Sequence, residues 1–97
     1  MANNTTILLL LKDRSEYTER WLIVHTALGL QFPIHIADGS KSDSNKLIIE
    51  NHIKSNDILD ISYHYHGPDV DLKTFYKKIV NSLENINNKY VMLADND

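Results

Sequence analysis

Cysteine is absent from this chain, which excludes disulfides, zinc–thiolate centres and thiol nucleophiles. Glycine and proline are scarce, three and two among 97 residues. Neither the G-x-G-x-x-G of dinucleotide folds nor the G-x-x-x-x-G-K-S/T of phosphate loops occurs, and the G-x-S-x-G elbow is missing too. A net charge of −3 gives no electrostatic reason to expect nucleic acid or an anionic membrane as partner. The apolar run Ile7–Leu11 is far too short to cross a bilayer, and Met1–Thr6 lacks the basic n-region of a secretory signal. The default reading is a cytoplasmic protein without a transmembrane segment.

What is present describes an ordinary globular chain. Hydrophobic residues make up 42% and charged residues 24% of it, enough for one domain over residues 1–97 with a modest core. Thr5–Lys12 is an uninterrupted apolar run with polar brackets, the pattern of a central strand. Ser15 is a helix N-cap candidate, with Glu16 and Glu19 in the first turn, where the helix dipole favours negative charge. Tyr17, Trp21, Val24, His25 and Leu28 then recur at helical spacing as a sheet-facing stripe, and Gly29 lies near its stop. Phe32–Ala37 reads as a second strand opened by Pro33. A second helix starting at Asp43 or Ser44 offers Leu47, Ile48 and Ile53 to the core. Ile58–His66 alternates with period two and reads as a third strand. After Gly67-Pro68, Asp69 or Asp71 caps a third helix with Leu72, Phe75, Tyr76, Ile79, Leu83 and Ile86 as its apolar positions. Tyr90–Leu93 is short and apolar, like a strand buried on both faces. The order β-α-β-α-β-α-β implies a parallel sheet with right-handed crossovers and helices on both faces, a three-layer α/β/α sandwich.

In such a sheet the carboxyl ends of the strands share one edge, where ligands gather. That edge collects Lys12-Asp13-Arg14, Asp38-Gly39-Ser40, His66-Gly67 and Asp95-Asn96-Asp97. Asp38 either accepts from a nucleobase N–H or ribose hydroxyl, or braces its own loop as an Asx-turn. Lys12, Arg14 and Lys73 can face phosphate or solvent, whereas Lys77 and Lys78 read as the polar face of the third helix. Asp95 and Asp97 form either a seat for Mg²⁺ or Mn²⁺ with a diphosphate, or a solvated tail. His64 and His66 have the spacing of a strand-borne metal pair, but no third nitrogen or sulfur ligand lies nearby to make a zinc site. His25, His35 and His52 read as packing or solvent-facing. A receiver-type phosphorylation domain would want an acidic pair after the first strand and an aspartate after the third. Here Asp13 is followed by Arg14, and the third strand ends in histidine.

Three segments in order carry a family resemblance. They are the first strand running into Lys12-Asp13-Arg14-Ser15-Glu16-Tyr17, then Ile36-Ala37-Asp38-Gly39-Ser40, and finally Tyr90-Val91-Met92-Leu93-Ala94-Asp95-Asn96-Asp97. Together they resemble the N-terminal, nucleotide-sugar-binding half of a family-2-type glycosyltransferase with the A-type fold, over nearly the whole chain. The resemblance implies a Rossmann-like half-domain whose nucleotide site uses Asp38, Lys12, Asp13 and Lys73. Asp38 would hold the base, typically uracil, and Lys12 would stand beside it. Asp95 and Asp97 would hold a divalent cation, Mn²⁺ or Mg²⁺, that bridges the diphosphate of a UDP-sugar. The sugar would pass to a saccharide or other hydroxyl acceptor, with inversion. Two positions depart from the pattern: Leu10-Leu11 replace small residues or proline, and Phe75-Tyr76 stand where an Arg-Asn pair is usual. The family's general base belongs to the second half of the fold, beyond residue 97, so the chain by itself is expected to transfer nothing. Its last strand is expected to form a bare edge open to self-association. The alternative is a small non-catalytic α/β nucleotide-binding or regulatory domain.

Overall fold

The structure, a computed structural model, describes residues 4–29, 31–55 and 60–95. Seven elements alternate: β1 (Thr5–Leu11), α1 (Ser15–Ala27), β2 (Ile34–Asp38), α2 (Ser44–Ser55), β3 (Ile61–Tyr65), α3 (Leu72–Asn85) and β4 (Tyr90–Asp95). The strands form one all-parallel sheet in the order β3-β2-β1-β4. Stepping from β1 to β2 to β3 moves one way across the sheet, and β4 returns to the far side of β1. Right-handed crossovers then put α1 and α2 on one face and α3 on the other. The Rossmann-like α/β/α sandwich expected from the element order is the one observed. No helix among the described residues is long and apolar enough to cross a membrane.

The core lies mainly between the sheet and the α1/α2 layer. Ile7, Leu9 and Leu11 of β1 meet Ile34 and Ile36 of β2, closed over by Leu22 of α1 and Ile49 of α2. Leu8, on the opposite face of β1, is equally buried, so β1 has the two-sided burial its unbroken apolar run calls for. A hydrogen bond of 2.9 Å between Thr26 and His52 joins α1 to α2. Asp71 caps α3: its carboxylate accepts from the Thr74 amide at 2.8 Å, and the Thr74 side chain accepts in return from the Asp71 amide.

Several local expectations are corrected. Ser15 is the first residue of α1 rather than its cap. The cap position is Arg14, which holds left-handed φ and ψ of 51° and 53° and makes no side-chain cap bond. The residues of α1 that face the sheet are Thr18, Leu22 and His25, one step round from the aromatic stripe. Of the expected stripe, His25 is buried and Trp21 packs against the core, whereas Tyr17, Val24 and Leu28 are exposed along a groove of about 580 Å³ running above β4. Leu47 of α2 is exposed, while Ile48 and Ile53 pack on the core as expected. Pro33 stands just ahead of β2, and of the anticipated third strand Ile58 and Leu59 lie outside the described residues.

Two corrections bear on chemistry. β4 is an edge strand, with Tyr90, Met92 and Leu93 exposed, and not a strand buried on both faces. Its short apolar run matches a central strand in composition, but strand order is not written in composition. On α3, Leu72, Tyr76 and Leu83 are exposed, and Lys78 with Ser82 is buried against the sheet. Lys78 is therefore no part of a polar outer face.

Candidate functional site

The carboxyl edge of the sheet is built from four strand ends that hold one another in place. Register puts Leu11 opposite Asp38 on one side, and Leu10 opposite Asp95 on the other. Asp38 and Asp95 thus end strands that flank β1, at nearly the same level and roughly 10 Å apart.

The turn after β1 is strained. Asp13 (φ 58°) and Arg14 (φ 51°) both take left-handed backbone conformations, a cost of roughly 1–2 kcal/mol for each non-glycine residue. Contacts from the neighbouring loop and the first turn of α2 offset it. The Asp13 amide donates to Ser40 Oγ at 2.7 Å, its Oδ1 accepts from the Lys41 amide at 3.0 Å, and its carbonyl accepts from Asn45 Nδ2 at 2.9 Å. Such strain persists where the surroundings over-determine it, and it clusters at functional sites.

Asp38 is the hub of that loop and is fully buried. Its Oδ1 accepts from the Ser40 amide at 3.0 Å and from the Ser40 hydroxyl, and its Oδ2 accepts from the Tyr63 hydroxyl at 2.5 Å. The Asx-turn alternative for Asp38 is thus present in the fold, and a nucleobase reaching this carboxylate would have to displace Tyr63. Tyr65, two residues on, donates to the Ser40 carbonyl at 2.9 Å. Burial, and after it the hydrogen bond to Asp38, pushes the Tyr63 phenol well above its ordinary range. Tyr63 is therefore a fixed neutral donor.

Gly39 is required for space rather than for backbone freedom. Its φ is not positive; a Cβ there would collide with the Asp69 carboxylate. The Asp69 amide donates to the Gly39 carbonyl at 2.8 Å, and its carboxylate, itself buried, pairs with Lys78 Nζ at 2.5 Å. Lys78 also donates to the Leu11 carbonyl at 3.1 Å. One lysine from α3 thereby ties the end of β1 to the loop before α3, and through Asp69 to the end of β2.

On the far side of β1 a crevice of about 220 Å³ opens between the ends of β1 and β4, lined by Leu11, Lys12, Arg14, Phe75, Lys78 and Asp95. This is where the strand order reverses, the place where open α/β sheets hold ligands. Cations stand on the β1 and α3 sides of the crevice and a carboxylate on the β4 side. Lys73, in the first turn of α3, is exposed and does not line it.

Of the residues singled out from sequence, Lys12, Asp13, Asp38 and Asp95 come to one edge, whereas Asp97 lies outside the described residues. For a divalent cation the donor that can be placed is Asp95, exposed at the end of β4. No group of three acidic, histidine or cysteine side chains able to hold a metal occurs among the described residues. Mg²⁺ and Mn²⁺ sites that rely on one or two carboxylates plus substrate phosphates need no such cage. Asp95 beside a cationic crevice fits that mode.

Three of the five histidines, His35, His64 and His66, cluster on β2 and at the end of β3. His35 is buried and stacked on His64, ring centroids 4.2 Å apart. Burial, followed by His64 and His66, lowers its pKa to about 4. His66 is also lowered, first by burial and then by the Lys78 ammonium. His35 and His66 thus favour the neutral form.

Sequence reading missed Tyr63, Asp69 and Lys78. A lysine amid the apolar positions of α3 was the available signal for Lys78; nothing in the local pattern marked Asp69 as its partner. Compared with protein-family models and with curated proteins, the chain matches none.

Proposed function

We propose that this chain is the nucleotide-sugar-binding half of a metal-dependent glycosyltransferase of the family-2 type. The observation that carries the reading is the juxtaposition of Asp38 and Asp95 on strands flanking β1, beside a crevice with cations on one wall and a carboxylate on the other. Asp95, with Asp97, would hold Mn²⁺ or Mg²⁺; when bound, the cation stabilises charge on the departing diphosphate as a Lewis acid. Lys12 and Asp13 border the nucleotide, and Asp38 either receives the base directly or holds the loop that does. Lys73, exposed at the start of α3, meets the ligand only through its outer, solvent-facing end. The acceptor and its general base belong to the family's second half, so the activity proposed for these residues is donor binding.

A second reading, a non-catalytic nucleotide-binding domain, is favoured by one observation: both oxygens of Asp38 are already engaged by Ser40 and Tyr63. Titration with UDP, with and without Mn²⁺, separates the two by amide shifts. Shifts at Asp38–Ser40 and Asp95 that require Mn²⁺ support the transferase reading. Equal shifts without metal support the second, and no shifts at this edge contradict both.

A further inference from the structure

We propose that the crevice between β1 and β4 is a metal-independent seat for a phosphate or diphosphate group, with the buried ammonium of Lys78 at its back and Lys12 and Arg14 at its mouth. It deepens the donor-binding reading, which leaves the anion to a cation held by Asp95, and it concerns the opposite wall.

Lys78 is 2% exposed, a place where lysine almost never lies unless paired. Its ammonium has three N–H donors; two are taken by the Leu11 carbonyl and Asp69. Nζ also stands 5.2 Å from the centre of the Phe75 ring, within cation–π range, and both side chains line the crevice. Were the pair only structural, an apolar side chain of similar volume would serve as well, since burying an ion pair brings little net stability. The charge has a further use if an anion docks beside it. Among groups facing the crevice, Lys12, Arg14 and Lys78 oppose Asp95, and Asp69 lies behind Lys78. The left-handed turn at Asp13–Arg14, held by two hydrogen bonds from the next loop and one from Asn45 at the start of α2, fixes the backbone that carries Lys12 and Arg14 to the mouth. About 220 Å³ is room for a diphosphate. The shared chemistry is the phosphate group, whether free or part of a nucleotide.

The test is titration of the 97-residue chain with inorganic pyrophosphate in the presence of EDTA, followed by amide and lysine side-chain shifts. Pyrophosphate is expected to shift residues 11–14, 75 and 78. Arg14→Gln, on an exposed residue, and the paired Lys78→Gln/Asp69→Asn, which keeps a neutral hydrogen bond in the interior, are each expected to weaken binding roughly tenfold or more, as loss of a charged hydrogen bond should. Far-UV circular dichroism confirms that each variant is folded; if the paired variant is not, Lys12→Gln with Arg14→Gln takes its place. Pyrophosphate that shifts nothing in the crevice, or binds the folded variants as tightly as the parent, overturns the proposal. Parallel arms with UDP–Mn²⁺ and uridine keep the two claims apart. Pyrophosphate binding without any UDP–Mn²⁺ effect at Asp38–Ser40 supports this seat and contradicts the donor reading. The converse pattern does the opposite.

Discussion

A few buried polar side chains decide how the edge of this sheet is built. Tyr63 donates its hydroxyl to Asp38 Oδ2 at 2.5 Å. Tyr63→Phe leaves that oxygen without its partner inside the protein and is expected to cost about 1.5–3 kcal/mol, read as a lower urea midpoint with an unchanged m-value. Gly39→Ala forces a Cβ into the Asp69 carboxylate and so parts it from Lys78. Breaking one member from a buried ion pair typically costs about 3–5 kcal/mol, and a loss of that order is expected in the same measurement. Ser40→Ala in either background would be non-additive with Tyr63→Phe, because both act on Asp38. Asp38, Gly39 and Ser40 were legible in the sequence as a turn at the end of a strand. Their partners were not, since Tyr63, Asp69 and Lys78 lie 25, 31 and 40 positions downstream of Asp38 and only folding brings them back to it.

At the level of elements, type and order could be read from hydrophobic period and punctuation. The unbroken run in β1 and the Asp71–Thr74 cap of α3 are examples. Placement within the sheet could not be read that way. β4 has the apolar content of an interior strand, yet the reversal of strand order leaves it at the edge, with Tyr90, Met92 and Leu93 exposed. Helix faces slipped in part for a related reason: on α1 His25 is buried and Trp21 packs on the core as the period implied, but Tyr17, Val24 and Leu28 are exposed, and Thr18 and Leu22 are buried in their place. On α3 the sheet face holds Lys78, whose partners Leu11 and Asp69 no helical period encodes, and Ser82, whose hydroxyl donates to the Lys78 carbonyl one turn back. An exposed apolar edge strand invites pairing with a second copy. Concentration-dependent self-association is therefore expected in sedimentation velocity, and Leu93→Lys should shift it towards monomer while changing stability by no more than about 0.5 kcal/mol. Equal association of the parent and this variant would remove β4 as the contact.

For the whole molecule, acid is the condition that tests the packing. The pKa of His35 is lowered to about 4 from 6.5, and those of His25, His52 and His66 are lowered too. The unfolded chain therefore binds protons more readily than the folded one below pH 6.5. Stability is full above that value and falls as pH drops from 6.5 towards 4. Urea midpoints should decline over that interval, and His35→Phe should flatten the decline; a midpoint independent of pH there would contradict neutral, buried imidazoles. The functional claim also belongs to this scale, because it rests on strands β2, β1 and β4 delivering their ends to one rim. Paramagnetic broadening by Mn²⁺ in the presence of UDP tests that claim most directly. The account predicts loss of amide signals centred on Asp95 and extending to residues 10–14 and 38–40, absent with Mn²⁺ alone at the same concentration. Broadening centred elsewhere, on His64 and His66 for instance, or unchanged by UDP, would contradict it.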